Sequence, residues 1–358
     1  METIILTRDD IAQIVGRLGL NQLMDSVIKE LRNTFFNFDA ALTQVRTRDG
    51  FTYQTPYPGV LEWMPVMQAG DFAVIKVVSY NPGNPLIYQM PTIVSTLSLY
   101  NICTGHLMAL ADGTFATALR TGAASAIASE VLANPASEVV GLVGGGAQAV
   151  TQLHALSRLF DIKRALVYDI DSEVAATFAE RCRFLDLDIR RSTLRELEEE
   201  SDIICTATSV GIGAGPVIEG TNLKPWVHIN AVGSDLPNKI ELPLHLLQES
   251  LVCPDYRSQA VVEGECQQLE DDAIGPELIE LVKRAPSYQS YQLSKTVFDS
   301  TGFALEDKVS MEVLLSLAKK LGVGQTLPVE SIAFDPMDPY SFARESLAES
   351  LVKMATTV

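Results

Sequence analysis

The sequence predicts an α/β protein with a central doubly wound parallel sheet, joined to a second, α+β unit that is discontinuous in the chain. Three observations predict it. From residue 138 apolar strands alternate with amphipathic helices, the pattern of a parallel sheet covered on both faces. From about 42 to 116 the texture differs: short β-branched and aromatic runs are split by Gly and Pro, as in antiparallel sheets. After TVFDSTG at 296–302 comes a long helical stretch, ALEDKVSMEVLLSLAKKLG, which returns the chain toward the first unit. A length of 358 residues agrees with two domains.

Taken in order, residues 8–32 mix polar and apolar positions at helical spacing. FTYQT, VLEWMPV, FAVIKVVSY, TIVSTLSLYN and HLMALADG read as the strands of the antiparallel unit. LRTGAASAIASEVLA (119–133) reads as a small-residue helix that packs closely and leads into the parallel unit. There EVVGLVGG, RALVYDID, LDIRRST, DIICTATS and VHINAVGS read as strands. The helices between them are AQAVTQLHALSRLF, SEVAATFAERCRF and LRELEEES. Pro, Gly and Asn thicken at 211–225, a loop at the sheet edge.

Composition narrows the function. Lys and Arg total 27 against 45 Asp and Glu, a net charge of −18. That balance argues against nucleic acid and against an anionic membrane surface, both of which need basic counter-charge. No run of about 18 apolar residues suggests a membrane span, and the opening METIILTRDDIAQIVG lacks the layout of a signal peptide. The five cysteines are scattered without a CxxC pair, so neither zinc nor a disulfide framework is expected, and a cytoplasmic setting fits. The four histidines show no metal spacing, no Ser-His-Asp arrangement stands out, and no metal site is expected.

The clearest motif is VVGLVGGGAQAVTQL, in which Gly144-x-Gly146-x-x-Ala149 follows an apolar strand and opens a helix. Such a turn lets backbone N–H groups approach a pyrophosphate at the helix N-terminus, the arrangement of a Rossmann-type dinucleotide site. Asp169 closes the next strand, where an acid binds the ribose and repels a 2′-phosphate, favouring NAD(H); a helix cap is its other reading. Lys76 interrupts an apolar strand, marking either an edge strand or an ammonium aimed into a cleft. Arg120 opens the small-residue helix, either to meet a carboxylate or phosphate or to form a surface ion pair. Glu62 lies between apolar neighbours and, if inward, needs a cationic partner. Asp235 follows INAVGS at the carboxyl end of a parallel strand, either facing a ligand or capping a turn before Pro237. His154 reads as structural, and EGECQQLEDD (263–272) as the solvated face of a helix.

Longer phrases carry a resemblance. GVLEWMP, IKVV, ALRTGAASA, VGGGAQAVTQ, HINAVGSDLPNKIEL, EGECQQL and VFDSTGFALED, spread in order over residues 59–307, resemble the ornithine cyclodeaminase/mu-crystallin family. The resemblance implies a substrate-binding and dimerisation domain built from residues 1–120 and 306–358, around an NAD-binding Rossmann domain at 121–305. It implies that Lys76 and Arg120 hold a substrate α-carboxylate, with a third cation from QVRTRDG, Arg46 or Arg48, of which Arg46 is taken here. It makes Asp235, Glu62 and Lys76 the catalytic set, Asp235 and Glu62 facing the amino groups. It places NAD against Gly144, Gly146, Ala147, Gln148 and Asp169, with Arg120 and Thr121 alongside. The implied activity is that of an ornithine cyclodeaminase, a homodimer converting L-ornithine to L-proline and ammonia with recycled NAD. Lysine cyclodeamination, an alanine-dehydrogenase, ketimine or opine-type reduction, and a non-catalytic nucleotide-binding protein are the alternatives. One departure from the family pattern is Asn238, where Gly is usual; Asn tolerates the left-handed backbone better than most residues.

Overall fold

The computed structural model describes residues 1–344, so the part of the expected C-terminal stretch at 345–358 lies outside the described residues. Two sheets organise it. The strands of the first are β1 (Thr3–Leu6), β2 (Thr43–Val45), β3 (Asp49–Tyr53), β4 (Gly59–Gln68), β5 (Phe72–Tyr80), β6 (Ile93–Asn101) and β7 (Leu107–Asp112). The second holds β8 (Val139–Val143), β9 (Arg164–Tyr168), β10 (Asp188–Arg191), β11 (Ile203–Thr206), β12 (His228–Ala231), β13 (Leu251–Pro254) and β14 (Thr296–Asp299). A last short strand, β15 (Gln325–Leu327), rejoins the first sheet against β1, so that sheet takes strands from both ends of the chain.

The first sheet runs β15-β1-β7-β6-β5-β4-β2, with β3 also on β4. Apart from the parallel β1–β7 pair its ladders are antiparallel. Lys76 is therefore in a central strand, and the edge-strand reading fails. The second sheet is wholly parallel, ordered β10-β9-β8-β11-β12-β14-β13. β11, β12 and β14 are buried along their whole length, as strands covered on both faces must be. Chain order reverses between β8 and β11, the crevice where open α/β sheets bind ligands.

Two helices join the sheets. Thr114–Leu132 is buried along most of its length. A Cβ on Gly122 would lie 2.3 Å from the Thr151 carbonyl oxygen, so glycine there permits the close approach of the Ala147–Leu159 helix. Ala304–Leu321 sends Leu305, Val309 and Val313 into the core shared with the parallel sheet. Its Ala304, Met311, Leu314 and Ala318 enter the core of the mixed sheet. The divisions expected at 120/121 and 305/306 thus fall inside helices that serve both units. Phe303 stacks between Phe35 and Tyr256, at centroid distances of 6.2 and 5.5 Å, and anchors the second of these helices at its start.

The N-terminal helical stretch is two helices, Arg8–Leu18 and Leu20–Phe36, broken at Gly19 with φ +84°. The 263–272 segment corrects its reading: Glu263 and Glu265 are buried rather than solvated, because a helix (Arg257–Glu263) and a 3-10 turn fold them under the sheet's carboxyl edge. No helix among the described residues is long and apolar enough to cross a membrane.

Candidate functional site

A cleft of about 620 Å³, counting its open mouth, lies between the two sheets. Strand alternation builds one wall: Val60, Glu62 and Met64 of β4 and Lys76, Val78 and Tyr80 of β5 all face it. Register arranges them in rungs: Met64 pairs with Lys76, Glu62 with Val78, and Val60 with Tyr80, which pairs in turn with Ile93 of β6. Rungs on one face are about 6.8 Å apart. The Thr114–Leu132 helix contributes Thr117, Arg120 and Thr121 at helical spacing. The carboxyl ends of the parallel strands contribute Gln148, Val232, Asp235, Leu236, Ser300 and Thr301.

At the deep end Lys76 and Arg120 are 1% and 4% exposed. Lys76 Nζ lies 2.8 Å from Asp307 Oδ2; Arg120 contacts Asp307 at 3.1 Å and Glu306 at 2.8 Å. Arg120 is therefore a buried ion-pair partner and not a surface one. Burial, reinforced by Arg120, pushes the Lys76 ammonium down to about 7, although Asp307 pulls the other way. Burial also lifts Glu306 to about 8 against the pull of Arg120. Gly302, at φ +75°, is required beside these groups: a Cβ there would lie 2.2 Å from Arg120 Nη1. Asp255 holds that turn by accepting hydrogen bonds from the Gly302 N–H and the Ser300 and Thr301 hydroxyls.

At the other end the third cation is Arg48, which corrects the choice of Arg46. β2 stops at Val45 and the next residues leave the strand, so Arg46 is exposed outside the cleft while Arg48 turns into it. Arg48 Nη1 is 3.3 Å from Glu62 Oε2 and Nε is 2.8 Å from Glu263 Oε1, while Nη2 donates to the carbonyls of Thr301 and Gly302. Glu62 is inward and has the cationic partner its position demanded. Burial, with Asp235 adding to it, holds Glu62 above the usual carboxylate range despite Arg48. Burial lifts Glu263 to about 7, opposed by Arg48 and assisted by Glu62 and Asp235. Asp235 lines the cleft from the parallel sheet, its Oδ1 2.7 Å from Lys239 Nζ.

The nucleotide side has the geometry its motif required. Gly144 has φ +90°, and a Cβ there would lie 2.7 Å from the Ala207 carbonyl at the chain-order switch. Gly146 and Ala147 are exposed at the start of the Ala147–Leu159 helix, which has no side-chain cap, leaving first-turn N–H groups for an anion. Asp169 accepts from the N–H groups of Gly145 (2.7 Å) and Asp171 (2.9 Å) and keeps lone pairs for ribose hydroxyls. The cap of the following helix is Asp171, not Asp169. These features fit a dinucleotide. His154 is structural: it bonds Asn21 at 3.0 Å, and burial pushes it down to about 4. Asn238 adopts φ +64°, the left-handed turn its position called for.

Lys239, Tyr80, Glu263, Glu306 and Asp307 escaped the residue-by-residue reading. Lys239, Glu263, Glu306 and Asp307 lie within phrases used as fingerprints (DLPNKIEL, EGECQQL, FALED), and that co-occurrence was the available signal.

Known proteins share this fold. The profile of the ornithine cyclodeaminase/mu-crystallin family matches residues 7–320. The chain is 40% identical to the L-lysine cyclodeaminase of Streptomyces rapamycinicus, over 95% of this chain and all of that one. It is 33% identical to an ornithine cyclodeaminase of Agrobacterium fabrum, over 78% of each. Among solved structures, a lysine cyclodeaminase described for recognition of L-lysine, L-ornithine and L-2,4-diaminobutyric acid superposes with TM-score 0.93 at 43% identity. It covers 96% of this chain and all of that one. An archaeal alanine dehydrogenase dimer with bound NAD superposes at 0.82 with 28% identity, over 92% and 100%.

Proposed function

The chain belongs to the ornithine cyclodeaminase/mu-crystallin family, and from that premise we propose that it is an NAD-dependent cyclodeaminase of basic diamino acids. Its preferred substrate is L-lysine, converted to L-pipecolate and ammonia. Lysine replaces ornithine as first choice because the lysine cyclodeaminase relative matches along the full length, at higher identity than the ornithine enzyme. The observation that carries the reading is in the cleft. Two acids, Glu62 and Asp235, line it beyond the buried cations Lys76 and Arg120, complementing a molecule with a carboxylate at one end and an ammonium at the other.

NAD⁺, held by Gly144, Gly146, Ala147, Gln148 and Asp169 with Arg120 and Thr121 alongside, supplies when bound an acceptor for the Cα hydride and its return, without net consumption. The residues do the rest. Lys76 and Arg120 at the deep end hold the α-carboxylate and fix Cα, a positioning effect of several kcal/mol, while Arg48 holds Glu62 in place beyond them. An arriving carboxylate also adds the anion that keeps Lys76 charged. Glu62, one rung on, receives the distal ammonium. Asp235 takes a proton from it, freeing the amine to attack Cα, and returns that proton to the departing ammonia. The count closes with a second proton: the α-ammonium releases it before hydride can leave Cα, and the ring nitrogen of the product takes one up, so a substrate with two ammonium groups and one carboxylate leaves as a zwitterion plus an ammonium ion.

The homodimer belongs to the same proposal. The face of β4 and β5 opposite the cleft exposes Leu61 and Val77, at 39% and 40%, beside Trp63, on whose edge Phe51 packs. A second copy covering this face matches the dimeric state of the alanine dehydrogenase neighbour. Light scattering should give twice the chain mass, and Val77→Asp should halve it; a monomeric wild type would remove the dimer.

Function is tested by incubating the protein with lysine, ornithine or 2,4-diaminobutyrate and trace NAD⁺, following cyclic imino acid, ammonia and NADH absorbance. Product and ammonia in excess over NAD⁺, without NADH build-up and fastest with lysine, is the expected result. Stoichiometric NADH would make the protein a net dehydrogenase, and no turnover of any diamino acid would end the reading.

A further inference from the structure

Lys239 is 2% exposed and lines no part of the cleft, yet its ammonium touches the acid to which the chemistry was assigned. Nζ lies 2.7 Å from Asp235 Oδ1, 3.5 Å from the Tyr80 hydroxyl and 4.8 Å from the centre of the Tyr80 ring. Asp235 and Lys239 are i and i+4 on one irregular turn of the parallel sheet, whereas Tyr80 ends β5 of the mixed sheet. The ammonium therefore ties the Asp235 loop to the opposite wall.

We propose that Lys239 is the positioning residue for Asp235: it occupies Oδ1, fixes the carboxylate plane, and leaves Oδ2 as the oxygen that exchanges a proton with the substrate amine. Oδ2 accepts no protein hydrogen bond among the described residues, and the side chain is 22% exposed toward the cleft. The turn is built to hold this geometry. The Lys239 N–H returns to the Leu236 carbonyl at 3.1 Å, Asn238 takes the left-handed conformation, and the Lys239 carbonyl accepts from Ser234 Oγ at 2.6 Å and Gln267 Nε2 at 3.1 Å. The stem is thus fixed at its backbone and the head at Asp235 and Tyr80. Burial alone would depress the ammonium; Asp235, Tyr80 and Glu241 outweigh it and hold it at about 12, so it stays charged through neutral pH. A permanent cation on Oδ1 matters for a proton that must be taken and returned within one turnover. The proton then resides on the one oxygen that faces the substrate.

The inference rests on the cyclodeaminase reading, and the test separates the two. Lys239→Met, Lys239→Arg and Tyr80→Phe are compared in the full chain with NAD⁺ and lysine, with Lys239→Met also placed in an Asp235→Asn background. Lys239→Met should lower kcat by about 10²-fold, the scale of a misplaced catalytic group. KM for lysine and the Kd for NAD⁺ should move less than about threefold, and Lys239→Arg should recover most of the loss. In the Asp235→Asn background the Met substitution should add nothing, since a residue acting only through its partner is silent once the partner is gone. Unchanged kcat, an effect on KM alone, or losses that multiply in the double variant would overturn the proposal. If Lys239→Met does not fold, Tyr80→Phe decides: a fall of a few fold in kcat at constant KM supports the role, and a change in KM alone refutes it. Wild type without turnover on any diamino acid would instead sink the functional reading itself.

Discussion

The two ends of the cleft are built on opposite plans. At the deep end Lys76 and Arg120 are sealed from water and share Asp307, with Glu306 completing the cluster. At the distal end Arg48 divides itself between Glu62 and Glu263, while Asp235 faces the cleft with one oxygen free. The first arrangement suits a group that every amino acid presents, an α-carboxylate. The second keeps acids whose partners a substrate can replace, and it suits a second ammonium. On the proposed reading, affinity is anchored where the charges are locked, and the distal proton is exchanged where they are not.

The sharpest test of that division is at Asp235. Asp235→Asn removes the distal-end acid that comes from the loop after β12 and should lower kcat by about 10²–10⁴-fold. NAD⁺ binding, followed by fluorescence titration, should be retained, because Gly144, Gly146, Ala147 and Asp169 are not among the residues that line the cleft with Asp235. Retained turnover would transfer the proton to Glu62 and erase the contrast between the ends.

Asp307→Asn attacks the deep end. Among the described residues it leaves Lys76 without an ion-pair partner and Arg120 with Glu306 alone, and breaking such a buried pair typically costs about 3–5 kcal/mol. Urea unfolding should show a loss of that order, together with a raised KM for every amino acid tested. A variant as stable as wild type would mean that the deep end is not locked by this anion.

Titration should give Glu263 of the distal end and Lys76 of the deep end opposite signs. Glu263 protonates at about 7 in the folded chain against 4.5 for the ordinary group. Between those values the folded state holds the extra proton, so this group's contribution falls as pH rises from 4.5 to about 7. Lys76 behaves oppositely: the unfolded chain keeps its proton up to 10.5 and the folded chain only to about 7. Its contribution is therefore regained as pH rises from about 7 to 10.5. Glu263→Gln cannot titrate, and it should gain on wild type by up to about 3 kcal/mol between pH 5 and pH 8 in unfolding experiments. A constant difference across that range would show that Glu263 is ionised throughout.

What could be seen in advance follows from how local each signal is. β5, β6 and the Ala147–Leu159 helix are long enough for their period to show, β8 is a continuous apolar run before the Gly-rich turn, and Lys76, Glu62 and Asp235 stand out as charges in apolar phrases. β1, β2, β13 and β15 are three or four residues each and exist because distant segments pair with them. Arg48 could not be told from Arg46 because both lie beyond the end of β2, where alternation no longer assigns a face. Glu263, Glu306 and Asp307 look like ordinary helix acids in one dimension. Only the fold buries them against cations supplied by β5, the Thr114–Leu132 helix and the segment after β2.

The smallest expected effect concerns chain length. With the carboxylate at the Lys76 rung and the distal amine near the Glu62 rung, the next rung, Val60 with Tyr80 and Ile93, closes the cleft. Two rungs on one face are about 6.8 Å apart, close to the reach of an extended lysine side chain, so one methylene more or less is felt mainly at that end wall. Val60 is buried, and Val60→Leu advances the wall by a single methylene. It should disfavour lysine relative to ornithine by about tenfold in kcat/KM, since one methylene is worth about 1–3 kcal/mol in an apolar pocket. The deep end predicts no such effect: Met64→Leu, at the Lys76 rung, should change both substrates alike. Competition assays that follow pipecolate and proline together measure the ratio directly. If Val60→Leu slows both equally, the side chain does not run along the strands, and the two-ended description of the cleft must be redrawn around another axis.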